Sequence, residues 1–176
     1  PGDIVAVTNT LGDSAAGLDL LTQGAWEQHE FAWPLVTAHL TPRPQVKAGQ
    51  YLACHGANSM DDISDGLASE LHEIASASNV SLVVKAAAIP LSAEVKQAAE
   101  FLNKNPIDYA LYGGEDFQLL FTMNPEQFQQ LQAADTGAIF ALIGEVLPPG
   151  KGVVMIDEQA DMHLLQPKGY NHFTSD

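Results

Sequence analysis

Three aspartates fall within five positions just ahead of a helical pattern, in the stretch M-D-D-I-S-D-G-L-A-S-E from Met60 to Glu70. Asp62 and Asp65 are three residues apart at a strand-to-helix junction, so both carboxylates can point towards one spot. Magnesium binds oxygen ligands of this kind and keeps several of its waters. Ser64 and the N–H groups of the helix start could contact a phosphate oxygen. A simple helix cap is the commoner use of such residues, because Ser and Asp are preferred at the N-cap.

Two further stretches combine glycine with acidic residues. In Y-G-G-E-D-F-Q-L-L, from Tyr112 to Leu120, two glycines permit a tight turn or a close approach to a ligand. A Glu-Asp pair follows at the mouth of an apolar strand, although a plain turn explains the stretch equally well. In T-L-G-D-S-A-A-G-L, from Thr10 to Leu18, a glycine-containing turn opens a helix. That helix start could hold a phosphate, but a turn followed by a cap is the commoner arrangement.

Several familiar catalytic motifs do not occur in the sequence. It contains no G-x-S-x-G elbow, no C-x-x-C pair and no H-x-x-x-H spacing of a helical zinc site. The stretch G-E-V-L-P-P-G-K-G, from Gly144 to Gly152, differs from a phosphate-binding loop in its spacing, and glycine stands where Ser or Thr must reach magnesium. We therefore interpret it as a hairpin turn between two strands.

The charge balance narrows the range of binding partners. Seven basic and 22 acidic residues give a formal net charge of −15, which repels nucleic acids and anionic lipid surfaces. A phosphate compound can still bind if divalent cations lie between the like charges. The composition therefore favours metal-assisted phosphate chemistry over a lysine or arginine clamp, and it predicts neither nucleic-acid nor membrane binding.

Hydrophobic periodicity predicts alternating strands and helices over 176 residues, a length typical of one domain. Leu67, Leu71 and Ile74 recur at i, i+4 and i+7, which predicts a helix that ends near Asn79. Cys54 ends the apolar run Y-L-A-C and is predicted to be a small core residue. The other predicted helices cover 13–24, 33–40, 45–54, 93–102 and 125–133, and the predicted strands cover 4–8, 80–84, 117–122, 139–146, 153–156 and 162–165.

Two strand pairs late in the chain are predicted to be hairpins. One pair flanks the turn P-P-G at 148–150, and the other flanks the loop at 157–161. Strand pairs of this kind favour a mixed sheet covered by helices over a regular βαβ series.

The order of the motifs is more specific than any one of them. The chain reads T-N-T-L-G-D-S-A-A-G-L, then D-I-S-D-G-L, then G-G-E-D-F-Q-L-L-F-T and finally G-Y-N-H-F. Together these motifs resemble the C-terminal domain of thiamine-monophosphate kinase, in the superfamily of aminoimidazole ribonucleotide synthetase. The resemblance covers nearly the whole chain, from Pro1 to Phe173. D-x-S-D-G-L is shared across much of that superfamily, whereas G-G-E-D and the closing motif are more specific to the thiamine enzyme.

The resemblance implies a fold and an activity. The implied fold class is α+β, with three α/β/α layers around a mixed sheet, as in the C-terminal domain of aminoimidazole ribonucleotide synthetase. The family enzyme transfers the γ-phosphoryl group of ATP to thiamine monophosphate, giving thiamine diphosphate, with the help of Mg²⁺. Phosphoryl transfer depends mainly on positioning and charge neutralisation, which is consistent with a chain rich in carboxylates.

The resemblance also implies roles for individual residues. Asp62 and Asp65 match magnesium-binding aspartates, and Ser64 matches a serine that contacts ATP. Glu115 matches the glutamate that contacts the thiamine substrate. Tyr170, in the closing motif, matches the aromatic residue that packs on this substrate.

Two neighbouring acids and one loop residue do not receive a role from the resemblance. Asp61 and Asp116 are expected to cap a helix or to be solvated. Gln45 stands where relatives tend to have arginine, which argues against this loop as an anion contact. The N-terminal domain of the family, with further magnesium- and nucleotide-binding residues and the main dimer interface, is not part of this chain. We therefore expect one domain, 1–176, that is the C-terminal half of a two-domain kinase and is inactive alone.

Two alternatives remain open at this stage. The chain could be the same domain of another ATP-using superfamily member: the hydrogenase-maturation dehydratase, selenophosphate synthetase or aminoimidazole ribonucleotide synthetase. It could also be a non-catalytic module that binds a metabolite or a protein. For the full-length kinase, the resemblance implies a cytoplasmic homodimer.

Overall fold

The computed structural model describes residues 1–24, 26–133 and 139–167. Within these ranges the chain forms seven strands and seven α-helices, together with two short 3-10 helices. The strands are β1 (Ile4–Thr8), β2 (Ala57–Ile63), β3 (Ser81–Lys85), β4 (Gln118–Met123), β5 (Phe140–Leu147), β6 (Val153–Ile156) and β7 (Met162–Leu164). The helices are α1 (Asp13–Gln23), α2 (Ala32–Leu40), α3 (Val46–Cys54), α4 (Leu67–Ser78), α5 (Ala93–Leu102), α6 (Pro106–Tyr112) and α7 (Pro125–Ala133).

The seven described strands form one mixed sheet in the order β2-β4-β1-β5-β3-β6-β7. Neighbouring strands are antiparallel except β3 and β6, which are parallel. The predicted hairpin across 148–150 is wrong, because β3 lies between β5 and β6 and pairs with both. The predicted hairpin across 157–161 is confirmed, since β6 pairs with β7 and the Asp157 N–H donates to the Asp161 carbonyl at 3.0 Å.

Alternating residues of the sheet bury apolar side chains on both of its faces. Val5 and Val7 of β1 pack in one core with residues of α4 and α6, including Leu71. Ala6, between them, packs on the opposite face with residues of α3 and α7, including Phe128. Side chains alternate across a strand, so the central strand serves both cores. The result is a helical layer on each face of the sheet, which confirms the predicted three-layer α+β fold.

A third apolar cluster consists almost entirely of helical residues. Leu20 of α1, Leu35 of α2 and Val95 of α5 are fully buried in it, together with the nearly buried Tyr109 of α6. This packing fixes α1 relative to α6, and α6 ends directly before the G-G-E-D stretch. The helical cluster therefore sets the distance between two of the motifs noted in the sequence.

Most of the predicted elements are present, and the exceptions have physical reasons. The predicted bounds of α5, α7 and β6 are those of the structure. α6 was not predicted, and β2 was predicted only as a strand ending at D-I-S-D, without bounds, since the N-S-M-D-D segment of this edge strand shows little apolar alternation. The core position predicted for Cys54 is wrong: this side chain is exposed, and α3 buries Leu52 instead. None of the helices in the described ranges has the length and apolar composition needed to cross a bilayer.

Candidate functional site

The D-I-S-D and G-G-E-D stretches lie side by side at one end of the sheet. The Glu115 N–H donates to the Ser64 carbonyl at 2.8 Å, and the Phe117 N–H donates to the Ile63 carbonyl at 2.9 Å. These bonds continue the pairing of β2 with β4 beyond the ends of both strands. Two motifs that are far apart in the sequence are thereby held in a fixed relation.

The two glycines of G-G-E-D allow this close approach. A Cβ atom on Gly114 would lie 2.5 Å from the Ser64 carbonyl oxygen. One on Gly113 would lie 2.3 Å from the Ala15 Cβ atom of α1. Both distances are shorter than van der Waals contact, so each position requires glycine. The glycines thus bring this loop against the rest of the protein on two sides.

Asp116 joins the G-G-E-D stretch to the start of α1. Its buried carboxylate accepts hydrogen bonds from the Gly12 N–H at 2.6 Å and the Ser14 N–H at 3.1 Å. The N-cap of α1, Gly12, makes no side-chain cap bond, so Asp116 supplies the cap from a distant part of the chain. Burial raises the pKa of Asp116 to about 7, although the two hydrogen bonds act in the opposite direction. Of the two possibilities that the sequence left open for this acid, capping and solvation, the structure shows capping.

Polar side chains extend this junction to the neighbouring elements. Gln118 Oε1 accepts hydrogen bonds from the Thr8 hydroxyl and the Asn9 amide, both at 2.9 Å. The Ser14 hydroxyl lies 3.0 Å from Nδ1 of His39, near the end of α2. Hydrogen bonds therefore connect the end of β1 to the start of β4, and the start of α1 to the end of α2.

Glu115 lies next to this network and is exposed to a cavity of about 440 Å³. The cavity opens to solvent and is lined by residues of the β1–α1 turn and the start of α1, of α2 with its following loop, and of the stretch 115–118. Glu115 has φ of +67°, a left-handed conformation that is uncommon outside glycine. Backbone strain of this kind persists where the surrounding contacts enforce it, and here the bond to Ser64 does so. The backbone therefore fixes the position of Glu115 beside the cavity.

The three polar residues of D-I-S-D, Asp62, Ser64 and Asp65, lie at and just beyond the end of β2. Asp62 is exposed, whereas Ser64 and Asp65 are half-buried, and none of the three lines the Glu115 cavity. The capping alternative for this stretch is wrong, because the N-cap of α4 is Gly66 and, among the described residues, no hydrogen bond joins the side chain of Asp62, Ser64 or Asp65 to the start of this helix. Ser64 and both aspartates are therefore available for another role.

A group of three carboxylates lies beside D-I-S-D, on the α4 side of the sheet. The ligand oxygens of Asp61, Glu70 and Glu73 all lie within 4.8 Å of one another. Asp61 and Asp62 point to opposite faces of β2, so only Asp61 joins this group. Oxygen ligands of this type suit a hard divalent cation. Glu70 and Glu73 were not predicted, although their spacing of three residues on a helix was the available signal.

Glu70 is the buried member of this acidic group. Its Oε1 atom accepts a hydrogen bond from the Asp65 N–H at 3.0 Å. Burial raises the pKa of Glu70 to about 7, and the charges of Asp61 and Glu73 add to that effect. Burial likewise raises the pKa of Asp61.

The structure relates four of the five predicted site residues to one another. It places Asp62, Ser64 and Asp65 on one segment, and it bonds the backbone of that segment to Glu115. Tyr170 lies outside the described residues.

Comparison with known proteins identifies the fold family. The family described as AIR synthase related protein, C-terminal domain, matches residues 1–157. The chain belongs to this family. Among curated members, the thiamine-monophosphate kinase of Aquifex aeolicus is 38% identical over 98% of this chain and 52% of its own length. The Bacillus subtilis thiamine-monophosphate kinase is 36% identical over 98% of this chain and 53% of its own length. The chain spans about half the length of these curated relatives.

Solved structures of related proteins agree with this family assignment. AaThiL complexed with AMPPCP and TMP has a TM-score of 0.83 and 38% identity, over 98% of this chain and 52% of that chain. Thiamine-monophosphate kinase from Stenotrophomonas maltophilia K279a has a TM-score of 0.79 and 33% identity, over 88% of this chain and 50% of that chain. The hydrogenase maturation protein HypE of E. coli, with a TM-score of 0.65 and 22% identity, shares the fold.

Proposed function

We propose that this chain is the C-terminal half of a thiamine-monophosphate kinase, which transfers the γ-phosphoryl group of ATP to thiamine monophosphate. The observation that carries the proposal is the convergence of three motifs. T-L-G-D-S, D-I-S-D and G-G-E-D meet at one end of the sheet, where Glu115 lines a cavity. The similarity to thiamine-monophosphate kinases along 98% of the chain supports the same function.

Glu115 is proposed to bind the thiamine part of the substrate. Thiamine carries a cationic thiazolium ring and an amino-bearing pyrimidine, and a carboxylate attracts the first and accepts a hydrogen bond from the second. The left-handed backbone at Glu115 and its hydrogen bond to Ser64 fix the backbone from which the side chain extends before the substrate arrives. Less ordering is then needed on binding, which favours affinity. Tyr170 is proposed to pack against the same substrate.

Asp62 and Asp65 are proposed to hold Mg²⁺, and Ser64 to contact ATP. The residues fit this assignment, because both aspartates offer oxygen ligands, neither caps α4 and Asp62 is exposed. Bound Mg²⁺ would neutralise charge on the phosphates. The contribution of the chain itself is to place these carboxylates beside the loop that carries Glu115. The full-length enzyme is proposed to be a cytoplasmic homodimer.

A titration followed by NMR of the ¹⁵N-labelled chain tests the role of Glu115. We expect both thiamine monophosphate and thiamine to shift the amide signals of the cavity residues. Glu115→Gln should weaken both ligands about tenfold, because both carry the cationic ring. Glu126→Gln, an exposed acid in the first turn of α7, is the matched control and should change neither affinity. Equal affinities for Glu115→Gln and the unaltered chain would refute this role.

Paramagnetic Mn²⁺, used as a probe for Mg²⁺, tests the metal assignment. We expect it to broaden the amide signals at 61–66, and we expect the broadening to disappear in the double variant Asp62→Asn, Asp65→Asn. If Glu73→Gln removes the broadening and the double variant does not, the ion is bound instead by the group of Asp61, Glu70 and Glu73.

The kinase activity of the chain alone is expected to be undetectable, since it spans about half of its relatives. Incubation of the purified chain with ATP, Mg²⁺ and thiamine monophosphate should give no thiamine diphosphate by chromatography. Formation of that product would show that the proposed half-site is a complete enzyme.

A further inference from the structure

The cavity beside Glu115 is lined by more acidic than basic residues. Three are acids, Asp13, Glu115 and Asp116, and one is basic, Arg43. Arg43 is also the only arginine in the chain. A phosphate group entering a cavity with this acidic majority is repelled unless a positive charge lies close to its path. Arg43 is the one lining residue that can supply such a charge.

The backbone around Arg43 is restrained on both sides. α2 ends at Leu40, and Thr41 directs both its N–H, at 2.9 Å, and its hydroxyl, at 2.8 Å, to the carbonyl of Thr37. Pro42 and Pro44 flank Arg43, and each ring limits the backbone of its own and the preceding residue. Arg43 is therefore presented from a segment with few alternative conformations.

The side chain of Gln45 supports the same segment. Its amide nitrogen donates to the Arg43 carbonyl at 2.8 Å. Gln45 carries no charge, and its presence alone therefore argued against this loop as an anion contact. In the structure Gln45 also lines the cavity, and its hydrogen bond braces the residue that does carry one.

The guanidinium of Arg43 is exposed and available to a ligand. Within residues 1–24, 26–133 and 139–167, a salt bridge joins Lys104 to Asp19 and His163 contacts the Asp157 carboxylate, and neither contact includes Arg43. The cation thus shares a cavity with three acids without forming an ion pair with any of them. A planar guanidinium with free N–H groups matches the geometry of a phosphate, which it can bind through two hydrogen bonds.

We infer that Arg43 binds the phosphate of the thiamine ester and makes this cavity select thiamine monophosphate over thiamine. The inference rests on the proposed function, in which Glu115 binds the ring system. The ligand carries a positive ring and a negative phosphate. The cavity offers the anionic Glu115 and the cationic Arg43 from different walls. Each charge of the ligand then faces an opposite charge of the protein.

Comparison of two ligands separates this inference from the proposed function. Thiamine monophosphate and thiamine differ in the phosphate alone, and dissociation constants for both are measured by NMR titration of the chain. Arg43→Gln should weaken thiamine monophosphate about tenfold and leave thiamine within about twofold. Arg43→Lys should recover part of the loss, because it keeps the charge without the planar fork. Lys47→Gln, an exposed cation on α3 that does not line the cavity, is the matched control.

The possible results lead to different conclusions. An unchanged affinity of Arg43→Gln for thiamine monophosphate, or an equal loss for both ligands, would overturn the inference while leaving the role of Glu115 intact. Failure of the unaltered chain to bind either ligand at the cavity would overturn the proposed function together with the inference. The amide spectrum of each variant shows directly that it is folded.

Discussion

Two strand-to-helix junctions in this protein are each held by one buried acid. At the junction of β1 with α1, Asp116 accepts the N–H groups of Gly12 and Ser14. At the junction of β2 with α4, Glu70 accepts the N–H group of Asp65. Burial raises the pKa of each acid to about 7.

The two junctions differ in where the acid comes from. Glu70 belongs to the first turn of α4 and lies five residues from its donor. Asp116 lies 104 residues from Gly12 and reaches it only in the folded protein. The first contact is local and shapes one helix start, whereas the second joins two parts of the fold and borders the cavity. The candidate substrate site therefore depends on tertiary structure more than the start of α4 does.

Removal of the Asp116 carboxylate should have the largest effect. Asp116→Ala leaves the Gly12 and Ser14 N–H groups without their acceptor in a buried position, so we expect a loss of about 3 kcal/mol in the free energy of unfolding. Urea denaturation measures the loss. Asp161→Ala, at an exposed aspartate, should change stability by less than about 0.5 kcal/mol. Equal values for the two variants would show that the long-range cap contributes little.

Separation of the G-G-E-D loop from the D-I-S-D loop should have the next largest effect on the free energy of unfolding. A methyl group at Gly114 meets the Ser64 carbonyl, so Gly114→Ala should destabilise the protein by about 2 kcal/mol. Gly49→Ala is the control: it lies within α3, its Cβ would be 3.5 Å from the nearest atom, and alanine favours the helix. The control should be neutral or stabilising in the same denaturation experiment. A neutral Gly114→Ala would mean that the loops can move apart freely.

The junction of β2 with α4 should make the stability of the protein depend on pH through Glu70. Because the pKa of Glu70 is raised from 4.5 to about 7, the folded state binds its proton more tightly than the unfolded state does. This carboxyl therefore reduces stability as pH rises from about 4.5 to about 7. Glu70→Gln removes that loss and should be more stable than the unaltered protein by about 1 kcal/mol at about pH 8. Identical thermal stability of the two proteins at that pH would contradict the raised pKa.

A change at Ser14 should also have a small effect, and it separates the side-chain contribution from the backbone contribution at the Asp116 junction. Ser14→Ala removes the hydroxyl next to His39 but keeps the N–H that Asp116 accepts. We expect a loss of about 1 kcal/mol, well below that of Asp116→Ala. If the two variants were equally unstable, the side-chain contact with His39 would be the main support of this junction.

The sequence predicted those elements whose signals are local. Leu67, Leu71 and Ile74 marked α4, and Asn79 ends it in the left-handed conformation. The strand-to-helix junction at D-I-S-D was also predicted correctly, with β2 ending at Ile63. Periodicity and end signals act over a few residues, so they can be recognised without knowledge of the fold.

Features that depend on distant contacts could not be predicted in this way. The turn at 148–150 was recognised, but its two strands pair with β3, which no local signal reveals. The partner of Asp116 lies more than a hundred residues away, and so the sequence left both capping and solvation open for this acid. Arg43 stood in a proline-rich loop, and its place in the cavity with Glu115 emerged only from the structure.

The most direct measurement is an NMR titration of the ¹⁵N-labelled chain with thiamine monophosphate, followed residue by residue. If the cavity is the substrate site, the amide signals that shift most should belong to residues 9–14, 37–45 and 115–118, which enclose it. Absence of any shift at millimolar ligand, or shifts confined to the groove between α5 and the 157–161 turn, would contradict the proposal.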